Sequence, residues 1–305
     1  MEPGGLVPLS RPTRKPDWIR SRLPSGAVYE SVRGVVRDLA LETVCEHSRC
    51  PNVARCWGEG TATIMVMGDR CTRGCRFCHV GKARAPLPLD DDEPRRLGEA
   101  VRRLRLGYVV ITSVDRDDLD DAGASHLAAC VRAIRRSAPA ARVELLMPDL
   151  GGEPARVREV VESGPDVVAH NLETVERLTP RVRDRRASYR TSLRVLDEVR
   201  RARPGIVTKS GMMLGLGEEL SEVRASFRDL LGAGVRLLTV GQYLQPSPRH
   251  LPVERYVPPD AFADLEQEAL ALGFMGVAAG PLTRSSFRAR ELYEAARAPV
   301  GARRP

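Results

Sequence analysis

From residue 60 onward the chain alternates short apolar runs with longer amphipathic ones, and this pattern restricts its fold more than any other feature. TATIMVMG (61–68), YVVIT (108–112), RVELLMP (142–148), DVVAHN (166–171), VTKSGMMLGL (207–216) and VRLLTVGQYL (235–244) read as strands. Helical patterns near 93–106, 121–137, 153–163, 188–203 and 218–232 lie between them. Strands separated by helices pair in parallel, because each crossover returns the chain to the same end of the sheet. A full eightfold barrel takes about 250 residues, so six such units predict an α/β chain forming a partial (β/α)6 TIM-like barrel. A further helix near 259–272 and a short apolar segment, GFMGVAAG (273–280), follow the sixth strand. The Pro-rich QPSPRHLPVERYVPP (245–259) reads as a long connection over the barrel mouth, and connections of that length are usually functional. The expected division is an N-terminal extension at 1–59, the barrel at 60–258 and a C-terminal extension at 259–305.

With 305 residues, 42% hydrophobic and 29% charged, the composition is that of a globular chain with a substantial core and argues against the disordered class. The longest apolar runs fall far short of the ~20 residues of a membrane span. MEPGGLVPLSRPTRKPDWIR offers no apolar core for a secretory signal, so a cytoplasmic protein is expected. The net charge of +8 comes from 45 arginines and only three lysines, Lys15, Lys82 and Lys209. This bias reads either as genome composition or as a basic face for an acidic partner. Basic residues are scattered and aromatics are only 4%, which argues against nucleic acid.

Six of the seven cysteines fall into two triplets, C-x4-C-x5-C at 45, 50 and 56 and C-x3-C-x2-C at 71, 75 and 78. Disulfides are disfavoured in a chain without signs of secretion. Zinc is a competitor, with Cys75 and Cys78 as a C-x2-C pair and His47 or His79 completing the set. Zinc sites usually arrive as two pairs, however, whereas triplets suit cubane iron–sulfur clusters in which each thiolate binds one iron. CTRGCRFC (71–78), with Phe77 before the last cysteine and directly after the first expected strand, resembles the radical SAM signature. That resemblance implies a 4Fe–4S cluster on Cys71, Cys75 and Cys78. Its open iron binds S-adenosylmethionine, which is cleaved reductively to a 5′-deoxyadenosyl radical.

The first triplet, in CEHSRCPNVARCW (45–57), resembles the N-terminal motif of the lipoyl synthases. The likeness extends in order through KPDWIR (15–20), ITSVDRDDL (111–119), VELLMPDLGG (143–152), DVVAHNLETV (166–175), TKSGMMLGLGE (208–218), QYLQPSPRHLPVERY (242–256) and AGPLTRSSF (279–287). It implies a second, auxiliary 4Fe–4S cluster held by the two extensions, through Cys45, Cys50, Cys56 and a serine oxygen from a C-terminal R-S-S-Y motif. The matching residues are Arg284, Ser285, Ser286 and Phe287, with Ser286 in the ligand position. An oxygen ligand is more replaceable than a thiolate, which suits a cluster that is taken apart. Phe287 stands where the family commonly has Tyr, and His47 lies in a spacer where the family often has Glu and Ala. His47 reads either as tuning the cluster or as a solvent-exposed spacer.

The implied reaction is insertion of two sulfurs at C6 and C8 of an octanoyl chain on a carrier lysine, with the auxiliary cluster as the sulfur donor. Implied partners are octanoylated lipoyl carrier domains and the glycine-cleavage H protein, with an electron donor and iron–sulfur carrier proteins. Barrel chemistry sits at the C-terminal ends of strands, where Thr112, Ser113 and Asp115, then Asn171 and Glu173, then Lys209 are candidates for holding S-adenosylmethionine. Each also has an ordinary reading as a turn, cap or surface residue. Cys130, in HLAACVRAI, reads as core; His250 reads either as a substrate contact or as a loop residue without a special role. Other sulfur-inserting radical SAM enzymes, and a non-catalytic iron–sulfur or zinc module, remain alternatives at this level.

Overall fold

The computed structural model describes residues 14–21 and 23–297. Eight strands form one sheet in chain order: β1 (Glu42–Thr43), β2 (Thr63–Val66), β3 (Tyr108–Ser113), β4 (Arg142–Leu146), β5 (Val167–Ala169), β6 (Val207–Leu214), β7 (Leu237–Gln242) and β8 (Gly276–Gly280). β1 runs antiparallel to β2, and every other neighbouring pair is parallel. β1 and β8 are the two edges, so the barrel is open.

The six expected strands are all present, and the helices between them include Glu93–Arg103, Ala124–Ser137, Pro154–Glu162, Tyr189–Ala202 and Leu220–Gly232. The alternation also runs one unit further than the sequence suggests. GFMGVAAG, poor in β-branched residues, contributes β8, a seventh parallel strand, because helix Pro259–Leu272 ends on Gly273 in the left-handed region (φ 117°) and returns the chain to β7. Residues 259–280 therefore continue the sheet that the sequence reading ended at 258.

Helices cover the sheet, so strands buried on both faces can be apolar throughout; β2 and β7 are buried at every position. Leu97, Ala100 and Val101 share one face of Glu93–Arg103 and pack toward Ala124–Ser137. Gly98 permits that approach, since a Cβ there would lie 2.6 Å from Ser137 Oγ and 2.9 Å from the Ala133 carbonyl oxygen. At the other end of the chain, helix Ala289–Arg297 packs Tyr293 against Tyr108, ring centroids 5.8 Å apart, at the start of β3. Of the described residues, no helix is long and apolar enough to cross a membrane.

Candidate active site

The loop carrying the second triplet leaves the C-terminal end of β2 and is pinned on several sides. Thr72 N–H donates to the Asp115 carbonyl at 3.0 Å, and Arg76 N–H to the Val182 carbonyl at 2.9 Å. Gly74 N–H donates to the Asp184 carboxylate at 2.7 Å. The connection at 245–258 closes over the loop as expected from its length: Leu251 N–H reaches the Arg76 carbonyl, and His250 Nε2 lies 3.0 Å from the Cys78 carbonyl. His250 thus has a positioning contact with the loop.

Arg73, between the first two cysteines of this loop, is its principal anchor. Its guanidinium donates to both oxygens of Asp149 at 2.7 Å, to Asp117 from Nη2 at 2.7 Å, and approaches Asp115 at 3.3 Å. The Arg73 side chain is 4% exposed and that of Asp149 1%. Burial alone would raise the Asp149 carboxyl, but Arg73 holds it below the ordinary range. Asp115 receives less compensation, and burial pushes it up to about 6 against the pull of Arg73. Its carboxylate accepts from the Cys71 thiol at 3.6 Å.

The first triplet lies on two short helices before β2. Cys45 belongs to Val44–His47 and Cys56 to Val53–Gly58, with Cys50 in the turn between them. The segment that carries Ser286 is fastened to them: Asn52 Nδ2 donates to the Leu282 carbonyl at 2.6 Å, and the Arg55 guanidinium sits 5.2 Å from the Phe287 ring centroid. The aromatic ring at 287 therefore makes a contact that needs no hydroxyl. Pressed from the other side, β7 must carry glycine at 241, because a Cβ there would lie 2.1 Å from the Thr283 carbonyl oxygen. His47 Nε2 is 2.6 Å from Glu42, and its carbonyl lies 2.8 Å from His79 Nδ1.

One cavity of about 530 Å³ brings the two loops together. Cys71, Cys75, Phe77 and Cys78 line it with Thr112, Ser113, Asp115, Asn171 and Glu173, and so do Cys45, Cys50 and Ser286. Cys56 faces a second cavity of about 440 Å³, whose wall also includes Cys45, Cys50 and Ser286. Ser113 Oγ and Asn171 Oδ1 are buried without a hydrogen-bond partner. Glu173 has left-handed backbone (φ 71°), a costly state for a non-glycine residue, and burial raises its carboxyl. Lys209 is not brought into the cavity. It lies inside the barrel, 1% exposed, with Nζ 2.7 Å from Glu144, which also accepts from Tyr108. Cys130 is fully buried in the core, as expected.

Residues outside the sequence candidates also line this cavity, among them Asp149, Arg183 and His170. Arg183 donates to Ser192 Oγ, and its buried Nε has no partner. His170 bridges the Met147 carbonyl and Ser192, and burial lowers its pKa to about 4. Nothing in local sequence marks these positions, since their partners are remote in the chain. Arg73 was closer to hand, lying within the C-x3-C-x2-C motif itself.

The two triplets offer the thiol donors that iron–sulfur clusters take. Burial, first of all, raises each thiol: Cys45 to about 11 and Cys56 to about 12, with Cys71 at about 12 and Cys78 at about 11. Within each triplet the thiols also raise one another, Cys45 and Cys50 acting on Cys56, and Cys78 on Cys71. Two triplets of partly to fully buried thiols lining these cavities, one with Ser286 in the same walls, fit two cubane clusters.

An open parallel barrel with a three-cysteine loop at the C-terminal end of its first parallel strand is the architecture of a radical SAM protein, and residues 65–230 match the model of the Radical SAM superfamily. The fold resembles the solved structure of the FeFe-hydrogenase maturase HydG from Carboxydothermus hydrogenoformans, with a TM-score of 0.54 and 16% identity over 88% of this chain and 60% of that one. Residues 8–50 match the N-terminal domain of lipoyl synthase of the radical SAM family. The chain is 53% identical to the lipoyl synthase of Myxococcus xanthus, over 93% of this chain and 95% of that protein. It is 56% identical to that of Pyrobaculum arsenaticum, over 92% and 95%, and 52% identical to that of Thermus thermophilus, over 92% and 86%. The chain belongs to the lipoyl synthase family.

Proposed function

We propose that this protein inserts two sulfur atoms at C6 and C8 of an octanoyl chain attached to a carrier lysine, giving the lipoyl group. The observation that carries this reading is the common wall of the two cavities, in which Cys45, Cys50 and Ser286 face the same space as Cys71, Cys75 and Cys78. Cys71, Cys75 and Cys78 hold one 4Fe–4S cluster, and Cys45, Cys50, Cys56 and Ser286 hold the auxiliary one. When bound, the first supplies the electron that cleaves S-adenosylmethionine to the 5′-deoxyadenosyl radical, and the second supplies sulfur.

The chain's own residues bind, orient and exclude water. The buried thiols are protonated in the cluster-free chain and release their protons as iron binds. Ser113 Oγ, Asn171 Oδ1 and Arg183 Nε are polar atoms without a partner among the described residues that suit the hydroxyl, amino and carboxylate groups of S-adenosylmethionine. Met65, Met147, Met212 and Tyr243 supply apolar wall, suited to an aliphatic chain and to keeping water from a radical. Octanoylated lipoyl carrier domains and the glycine-cleavage H protein are the carriers this reading names, with an electron donor and iron–sulfur carrier proteins as further partners. The segments at 45–56 and 282–287, which lie against each other, are assigned to holding the auxiliary cluster on the barrel.

The test is anaerobic incubation of the iron- and sulfide-reconstituted protein with an octanoyl-lysyl peptide, S-adenosylmethionine and a strong reductant, followed by mass spectrometry. The expected result is a peptide carrying two added sulfurs together with 5′-deoxyadenosine. Formation of 5′-deoxyadenosine without sulfur on the peptide would leave the radical site standing and remove the substrate assignment.

A further inference from the structure

Arg284 carries a charge that the described residues do not balance. Among the described residues its one side-chain hydrogen bond runs from Nη1 to the Thr283 carbonyl at 2.6 Å, and no carboxylate pairs with it. Arg73 and Arg116, which are more deeply buried than the half-buried Arg284, are by contrast ion-paired to Asp149 and Asp118. The position is also closely held. Asn52 fixes the Leu282 carbonyl, Phe287 N–H donates to the Arg284 carbonyl at 2.9 Å, and a Cβ on Gly241 would stand 3.3 Å from Arg284 Nη1. Arg284 borders both cavities, beside Cys50 and Ser286.

A cation partly withdrawn from water without a counter-charge is costly, and such a site favours an anion. The ligand set beside Arg284 provides one. Three thiolates and a serine oxygenate around a cubane outweigh the core's positive charge, and one-electron reduction makes the assembly more negative still. We propose that Arg284 is the counter-charge of the auxiliary cluster, a positioning residue that holds the anionic assembly in place and raises its reduction potential; this rests on the ligand assignment above. Nearby charge and hydrogen-bond donors are among the levers that set the potential of an iron–sulfur cluster. A fixed cation stabilises the reduced form more than the oxidised form, so removing it must lower the potential.

The experiment uses the full chain with Cys71, Cys75 and Cys78 changed to Ala, so that only the auxiliary cluster is read. Arg284→Gln and Arg284→Lys are compared with this parent by iron and sulfide content and by redox titration followed by electron paramagnetic resonance. At the parent's midpoint potential, Arg284→Gln is expected to show a reduced-to-oxidised ratio at least tenfold lower, a shift of ~59 mV for one electron. Arg284→Lys is expected to restore most of that shift. Equal potentials in the parent and the Gln variant, at equal iron content, overturn the proposal and leave the ligand assignment intact. If Arg284→Gln holds no cluster, Arg284→Lys decides: loading with a near-parental potential supports the counter-charge, and failure to load overturns it. A parent without an auxiliary cluster overturns the ligand assignment and this inference with it.

Discussion

Replacing Arg73 with Ala takes away the only cation that pairs with Asp149 among the described residues and leaves the half-buried Asp115 beside the buried Asp149. Breaking a buried ion pair by deleting one partner typically costs 3–5 kcal/mol, and here one guanidinium serves three carboxylates, so a loss of about 4 kcal/mol is expected at pH 8. That is a large part of the ~5–15 kcal/mol by which domains are stable. The sign of the pH dependence follows from the shifts. In the parent, Asp149 lies below its ordinary range, so it contributes stability above that range and loses it as pH falls through the depressed value. Without Arg73, burial is unopposed and both carboxyls rise, so the variant loses stability as pH climbs through their raised values. Urea denaturation of the cluster-free proteins at pH 8 and pH 5 is the assay, with the deficit expected to shrink at pH 5. Arg73→Ala combined with Asp149→Asn should recover part of the loss at pH 8. A midpoint unchanged from the parent, or a deficit equal at both pH values, would refute the network as the anchor of the cysteine loop.

Further outcomes follow from the same geometry. Ser286→Ala should destabilise the auxiliary cluster while Ser285→Ala retains it, read as iron content in chains lacking Cys71, Cys75 and Cys78; loss of iron only on changing Ser285 would reverse the assignment. Gly241→Ala places a methyl against the Thr283 carbonyl, and should lower auxiliary-cluster iron while leaving the three-cysteine loop loaded. The cluster-free protein should be stable below the ordinary thiol value of 9.0 and weaken as pH rises through about 11, because folding raises Cys45 and Cys78. Alkaline urea titrations would show this, and cluster loading should abolish it. Lys209→Met leaves the buried Glu144 with the Tyr108 hydroxyl but no cation, and should cost about 3–5 kcal/mol with S-adenosylmethionine affinity by calorimetry unchanged; a large loss of affinity at intact stability would return Lys209 to the binding site.

The sequence alone determined the features that repeat locally or sit within one short segment. Six strands were legible because apolar runs of strand length recur between amphipathic helices, a pattern imposed by burying both faces of a parallel sheet. The spacing of Cys71, Cys75 and Cys78 was likewise readable as chemistry, since a thiol triplet has few other uses, whereas the R-S-S-F segment at 284–287 could be read only through its resemblance to the lipoyl synthase motif. What tertiary structure decided depends on partners far apart in the chain. Arg73 meets Asp149 across 76 positions, Lys209 meets Glu144 across 65, and Asn52 holds Leu282 across 230. A Lys at a strand start reads the same whether it faces a ligand or a buried carboxylate; only the packing of β4 against β5 and β6 committed Lys209 to Glu144. β8 was missed for a related reason, its small residues having little intrinsic preference for a strand until β7 offers a parallel edge to pair with. The joining of two cysteine triplets around one cavity is the furthest from sequence, because it requires β7, the 245–258 connection and the 279–287 segment to close on each other in three dimensions.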